Sequence, residues 1–198
     1  TVQKTLTHYK KLVDQTSADL VLLPETAFPI FNKNIPNEFL ESIVAPVKER
    51  KGDLLVGIPE IGNDGKYYNS VFSFGKSPKQ IYRKKHLVPF GDYFPLQPLF
   101  YWFISNISMP MSSFSSGDNN QSTINAGHQK IGINICYEDV FGRDIIGHLP
   151  DATILANFTN DAWWGRSLAA QQHLQISQMR AIETARVMLR ATNTGATA

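Results

Sequence analysis

The sequence predicts a layered α/β fold, and three observations carry that reading. Segments of helical periodicity alternate with apolar runs of strand length, several runs are continuous as in strands covered on both faces, and chemically interesting residues stand at the ends of those runs. Val2, Leu6, Tyr9 and Val13 recur at helical spacing. Residues 19–23 then read as a buried parallel strand closed by Pro24. Phe39, Leu40, Ile43, Val44 and Val47 repeat the helical pattern before the strand-like run 53–59. Residues 68–74 and 80–87 read as strands around a Gly-Lys-Ser-Pro turn, and residues 130–136 and 152–157 as further buried strands. A helical pattern over residues 168–189 closes the segment.

With 198 residues, 42% hydrophobic and 18% charged, the chain supports one sizeable core, which predicts a single domain over residues 1–198. A net charge of +2, with no basic patch interleaved with aromatics, argues against nucleic acid as a partner. One cysteine excludes an internal disulfide. No motif implies a cofactor or a metal, no phosphate-cradling glycine loop or signal peptide is evident, and no stretch is long and apolar enough to span a bilayer. The chain opens inside a helix with no strand before it and stops at Thr-Gly-Ala-Thr-Ala, so a fold truncated at both ends is expected.

Cys136 ends an alternating apolar run and is followed by Tyr137, Glu138 and Asp139. A thiol at a strand end flanked by ionisable groups is placed where its protonation can be controlled, although the same pattern fits a core cysteine. Glu25 follows the first strand, at the carboxyl edge where α/β proteins gather their chemistry, or is a solvated loop acid. Arg83, Lys84, Lys85 and His86 form a basic run before the Pro89-Phe90-Gly91 turn; such a run is most often a solvated face.

In this order, Glu25, then Tyr82-x-Lys84-x-His86-Leu87, then Cys136-Tyr137-Glu138, these residues resemble the nitrilase (carbon-nitrogen hydrolase) superfamily, known by a Glu-Lys-Cys triad. The runs 86–91 and 157–165, with residues 179–183 and 189–195, resemble its membrane branch, the apolipoprotein N-acyltransferases. The resemblance implies an α-β-β-α sandwich, with Glu25, Lys84 and Cys136 as catalytic residues and Lys84, two before the histidine, chosen over Lys85. It implies a phospholipid acyl donor, a diacylglyceryl apolipoprotein acceptor, and a domain facing the periplasm from the bacterial inner membrane, with the family's transmembrane helices outside this sequence. Asp92 stands where that branch has glutamate, and the shorter side chain is expected to lose reach toward Lys84 or the nucleophile unless the backbone moves inward.

The triad's parts define its chemistry. Glu25 takes the thiol proton, Lys84 favours the thiolate, and Lys84 with a backbone N–H near Tyr137 receives the oxyanion of a reaction that passes through a thioester. Glu138 orients Lys84 or the acceptor, or else pairs with Arg143. His86 reads as structural. Trp163 and Trp164 wall the pocket or form a core pair. Residues 93–117 carry no charge between Tyr93 and Gly117, and Trp102 and Phe103 lie in their most aromatic part, which fits an acyl-chain entrance, an interfacial loop or a satellite core. A water acceptor would make the same triad a soluble amidase, and the departure at Asp92 leaves a silent binding domain as a third reading.

Overall fold

A computed structural model describes residues 1–89, 91–93, 114–165 and 167–198, and the side chains of Trp163 and Trp164 lie outside this description. Helix α1 (Val2–Gln15) precedes β1 (Leu20–Leu23), and α2 (Asn37–Glu49) precedes β2 (Asp53–Ile61). Strand β2 lies parallel to β1 and antiparallel to β3 (Tyr67–Gly75), which in turn pairs antiparallel with β4 (Ile81–Arg83). A second sheet joins β5 (Ile124–Ala126) antiparallel to β6 (Gln129–Ile135), with β7 (Ile154–Thr159) and β8 (Val187–Thr192) following in parallel.

The period-two alternation of β2 decides how the layers stack. Leu54, Val56 and Ile58 face α1 and α2, where they meet Leu6, Tyr9, Val13, Ile43 and Val47. Leu55 points the other way and, with Val71 and Tyr82, packs on Ile131, Ile133, Ile135, Ala156 and Phe158 of the second sheet. The outer face of that sheet carries α4 (Ala169–Thr184), whose Ser177 hydrogen-bonds Arg190 of β8, and the short α3 (Gly142–Ile146), whose Ile145 packs on Ala152 and Leu155. The order is helix, sheet, sheet, helix, as expected.

The structure departs from the sequence pattern most at two boundaries and one short strand. The strand predicted over 80–87 ends at Arg83, because the N–H groups of Lys85 and His86 turn to the Glu138 carboxylate instead of β3. The helix predicted to run to residue 189 ends at Thr184. Ala185 adopts the left-handed conformation (φ 51°, ψ 40°), the Ala185 and Arg186 amides close on the carbonyls of Ile182 and Ala181, and Val187 opens β8. Strand β5, three residues long, is too short for its periodicity to show.

Asp53 ties both sheets together. Buried at the start of β2, it accepts hydrogen bonds from the Ser77 amide (2.7 Å) and hydroxyl (2.8 Å) in the β3–β4 turn and from the Gly127 amide (2.9 Å) in the β5–β6 turn. Asp53→Ala leaves three donors without their acceptor and is expected to lower unfolding free energy by about 3 kcal/mol. Urea denaturation checks this; a loss below about 1 kcal/mol would mean that water replaces the carboxylate.

Candidate active site

Three strand ends converge. Glu25 stands two residues beyond β1, Lys84 directly follows β4, and Cys136 directly follows β6, so the acid and the amine come from one sheet and the thiol from the other. The Glu25 carboxylate accepts from the Asn69 side-chain amide (2.7 Å) and the Asn160 backbone N–H (2.9 Å), with the Lys84 ammonium 3.6 Å from Oε1. That ammonium, with a side chain only 2% exposed, makes its shortest ion pair with Asp92, at 2.7 Å. Asp92 is held in turn by the Val88 amide (2.8 Å). The expected loss of reach at Asp92 therefore does not occur: the turn that returns the Asp92 amide to the Val88 carbonyl brings the shorter carboxylate onto Lys84.

The backbone is unusual at two of these positions. Cys136 and Thr26, next to Glu25, both have φ of 53°, a conformation that costs a residue with a side chain and persists where its surroundings impose it. Gly57 of β2 shows one such constraint, since a Cβ there would stand 2.4 Å from the Pro24 carbonyl oxygen and 2.6 Å from the Glu25 Cα. Only glycine lets β2 pass this close beneath the turn that presents Glu25.

Protonation follows from burial and charge. Desolvation raises the pKa of Glu25, against the opposing pull of Lys84 and the Asn69 hydrogen bond. Desolvation works against the Lys84 charge, but Glu25, Cys136 and Asp92 together hold its pKa above the ordinary lysine value. Desolvation, then the Glu25 charge, push the Cys136 thiol up to about 12, with Lys84 and a hydrogen bond to Thr159 acting in the other direction. Lys84 thus favours the thiolate, as the sequence suggested, but burial and the Glu25 charge outweigh it and the resting thiol keeps its proton. The arrangement is a protonated thiol facing a basic carboxylate and a fixed cation.

Glu138 is buried and saturated. Its Oε2 accepts from the Ile135 amide (2.7 Å) and the Tyr82 hydroxyl (3.0 Å), and its Oε1 from the amides of Lys85 (2.6 Å) and His86 (3.1 Å). Among the described residues it forms no pair with Arg143, and its hydrogen bonds clasp the segment after Lys84 to the strand that carries the thiol. The Tyr137 side chain is exposed and packs edge-on against Phe141. His86 stacks on Phe141 and contacts Asp144, which agrees with a structural part. Trp163 and Trp164 lie on the one-turn helix Asp161–Trp164 after β7, with their side chains outside the description; Trp102 and Phe103 lie outside the described residues.

Asn69 and His173 were not singled out from the sequence, and Asn157, Thr159 and Asn160 only as members of the run 157–165. Asn157 donates to the Cys136 carbonyl at 2.9 Å, and His173 lies 3.1 Å from the same oxygen. One signal was available: asparagine is depleted in strands, so Asn69, Asn134 and Asn157 within otherwise apolar runs mark places where a strand does more than pack. Among the described residues no cluster of histidine, cysteine and acidic groups is suited to a metal ion.

A Glu-Lys-Cys constellation, its acid and amine buried and its thiol half-buried, at the strand ends of an α-β-β-α sandwich defines a class, and a family model described as carbon-nitrogen hydrolase matches residues 1–198, so the chain belongs to that family. More particularly, the apolipoprotein N-acyltransferase of Nitrosomonas europaea is 51% identical over 195 residues, covering 98% of this chain and 39% of that protein. Its counterpart from Chromobacterium violaceum is 42% identical over 198 residues, covering all of this chain and 38% of that protein. The chain thus spans well under half the length of these curated relatives. The carbon-nitrogen hydrolase from Helicobacter pylori G27 shares the fold with a TM-score of 0.70 at 20% identity, covering 98% of this chain and 70% of that one. An amidase from Nesterenkonia sp. gives 0.59 at 16% identity, covering 97% and 70%.

The thiol's protonation predicts its reactivity. Alkylation of Cys136 by iodoacetamide, followed by mass spectrometry, is expected to keep accelerating from about pH 7 to about pH 10 without a plateau. A plateau below about pH 8 would reveal a preformed thiolate.

Proposed function

We propose that this chain is the catalytic part of an apolipoprotein N-acyltransferase, which moves an acyl group from a membrane phospholipid to the N-terminal amine of a diacylglyceryl-cysteine lipoprotein through a thioester on Cys136. The observation that carries the proposal is the convergence of Glu25, Lys84 and Cys136, with Asp92 on the lysine, in a chain 42–51% identical to relatives bearing that name. The amidases of this fold match at 16% identity or below, a likeness of fold alone, and do not favour the amidase reading.

Each group has a part that its surroundings support. As the Cys136 sulfur attacks the ester carbonyl, its proton passes to Glu25, whose raised basicity suits a general base. The carbonyl oxygen becomes an oxyanion facing the Lys84 ammonium and the Tyr137 backbone N–H, fixed donors that need no reorganisation. When the oxyanion collapses, the ester C–O bond breaks, Glu25 returns the proton to the departing alkoxide, and a lysophospholipid leaves Cys136 acylated. In the second half-reaction the lipoprotein amine attacks the thioester, Glu25 removes a proton from nitrogen, and the thiolate leaves and recovers that proton. Asp92 keeps Lys84 charged and pointed throughout, leaving Glu25 free to cycle.

Both substrates are lipids in this reading, so the site works at the periplasmic surface of the bacterial inner membrane. Among the described residues no helix is long and apolar enough to cross a membrane. Trp163, Trp164, Trp102 and Phe103 are our candidates for the pocket wall and the acyl entrance.

Intact-mass spectra of the full-length protein in detergent with phosphatidylethanolamine, and no amine acceptor, test the proposal. Wild type is expected to gain one acyl chain, Cys136→Ala and Glu25→Ala none; acylation of Glu25→Ala at the wild-type rate would sink the assignment. The pH profile adds a second check. Glu25 accepts a proton only when ionised, and burial raises its pKa, so activity should fall with decreasing pH at a midpoint above the usual glutamate value of ~4.3. A midpoint at or below that value would remove Glu25 as the base.

A further inference from the structure

Behind the nucleophile, on the α4 side of the second sheet, lies a buried polar network that the acyl-transfer chemistry above does not use. Asn134, Asn157 and Arg190 stand side by side across β6, β7 and β8. His173, on α4, sits at the centre. Its Nδ1 is 3.1 Å from Asp161 Oδ1, and its Nε2 is 3.1 Å from the Cys136 carbonyl oxygen and 3.2 Å from Asp139 Oδ1. The groups facing it from every neighbouring element are Asp139 after β6, Asp161 after β7, Arg190 on β8 and Ser177 one turn along α4; Arg190 pairs with Asp161 at 2.8 Å, and Ser177 donates to Asp139 at 2.5 Å.

A carbonyl oxygen only accepts hydrogen bonds, so the groups at the Cys136 oxygen donate: the Asn157 side-chain amide at 2.9 Å and the single His173 Nε2–H, which it shares with Asp139 Oδ1. Nδ1 faces a carboxylate and donates as well, which makes the ring an imidazolium. Burial alone would lower the His173 pKa, but the Asp139 hydrogen bond and charge outweigh it, with help from Asp161 and against Arg190, and the pKa stands above the usual histidine value.

The Cys136 carbonyl and the Tyr137 N–H belong to one peptide unit. That unit is planar and trans, so the two groups point in opposite directions. With its oxygen gripped from the α4 side, the Tyr137 N–H is turned toward the first sheet, where Lys84 and Glu25 stand. We infer that His173 is a positioning residue, which together with Asn157 clamps the Cys136 carbonyl and so aims the Tyr137 N–H at the oxyanion formed when Cys136 is acylated. The clamp also holds Cys136 at its positive φ, since rotation of this peptide would break both hydrogen bonds.

This inference rests on the thioester reading, and the test separates the two. Two amide side chains divide the functions of the imidazole: glutamine places its nitrogen near the position of Nε2, toward the Cys136 carbonyl, and asparagine near that of Nδ1, toward Asp161. In the full-length protein, acylation of Cys136 by a p-nitrophenyl ester is expected to slow about 100-fold in His173→Asn and to stay within about tenfold of wild type in His173→Gln. Iodoacetamide alkylation of Cys136, a displacement at a saturated carbon that develops no oxyanion, should differ less than about twofold among the three proteins. Equal acylation rates in the two variants, or alkylation slowed in parallel with acylation, would overturn the clamp and leave His173 a structural residue. Absence of ester acylation in wild type would overturn it as well. Acylation of wild type by the ester but not by phosphatidylethanolamine would remove the phospholipid donor while the variants still decide the clamp.

Discussion

The Lys84 ammonium is the charge around which this site is organised. A lysine removed from water keeps its proton only if carboxylates surround it, and here two do, Asp92 at 2.7 Å and Glu25 at 3.6 Å. The unequal distances divide the labour. Asp92 meets the ammonium at the closest range, while Glu25, farther off, is held by Asn69 and Asn160 as well as by the Lys84 charge. In the proposed reaction a single carboxylate would have to serve as both counter-ion and base, and a tight ion pair makes a poor base.

That arrangement explains why the surrounding backbone is so constrained. Glu25, Lys84 and Cys136 arrive from different strand ends through uncommon local geometry: positive φ at Thr26 and Cys136, a glycine at position 57, and a buried Glu138 that replaces strand partners for the amides after Lys84. Hydrogen bonds supply the compensation. Glu138 accepts four, and the Cys136 carbonyl accepts two side-chain donors, so the strained segments are over-determined rather than loose.

Much of the fold was legible because burial writes itself into periodicity. Helices α1 and α2 and strands β1, β2, β3, β6 and β7 pack apolar faces, and their patterns located them. The misreading after residue 184 has the opposite cause: α4 buries His173, Ser177 and Thr184, so its inward face is polar and its end leaves no apolar mark. Glu25, Lys84, Asp92 and Cys136 were legible as an ordered set of chemical types. His173 was not, because its function depends on a carbonyl oxygen thirty-seven positions away, which no side-chain pattern encodes. For Asp92 two outcomes stayed open, lost reach or an inward backbone, because residue type gives side-chain length and not where the turn places the Cα.

The acid and the amine belong to one sheet and the thiol to the other, joined by a layer in which Leu55, Val71 and Tyr82 meet Ile131, Ile133 and Phe158. The reactive gap is therefore a spacing between two slabs, set by the thickness of hydrocarbon packed between them. Close-packed side chains compress little, so this greasy filling acts as a gauge block for the chemistry at its rim. A change in its volume therefore alters the spacing of Glu25, Lys84 and Cys136 as well as the stability of the fold.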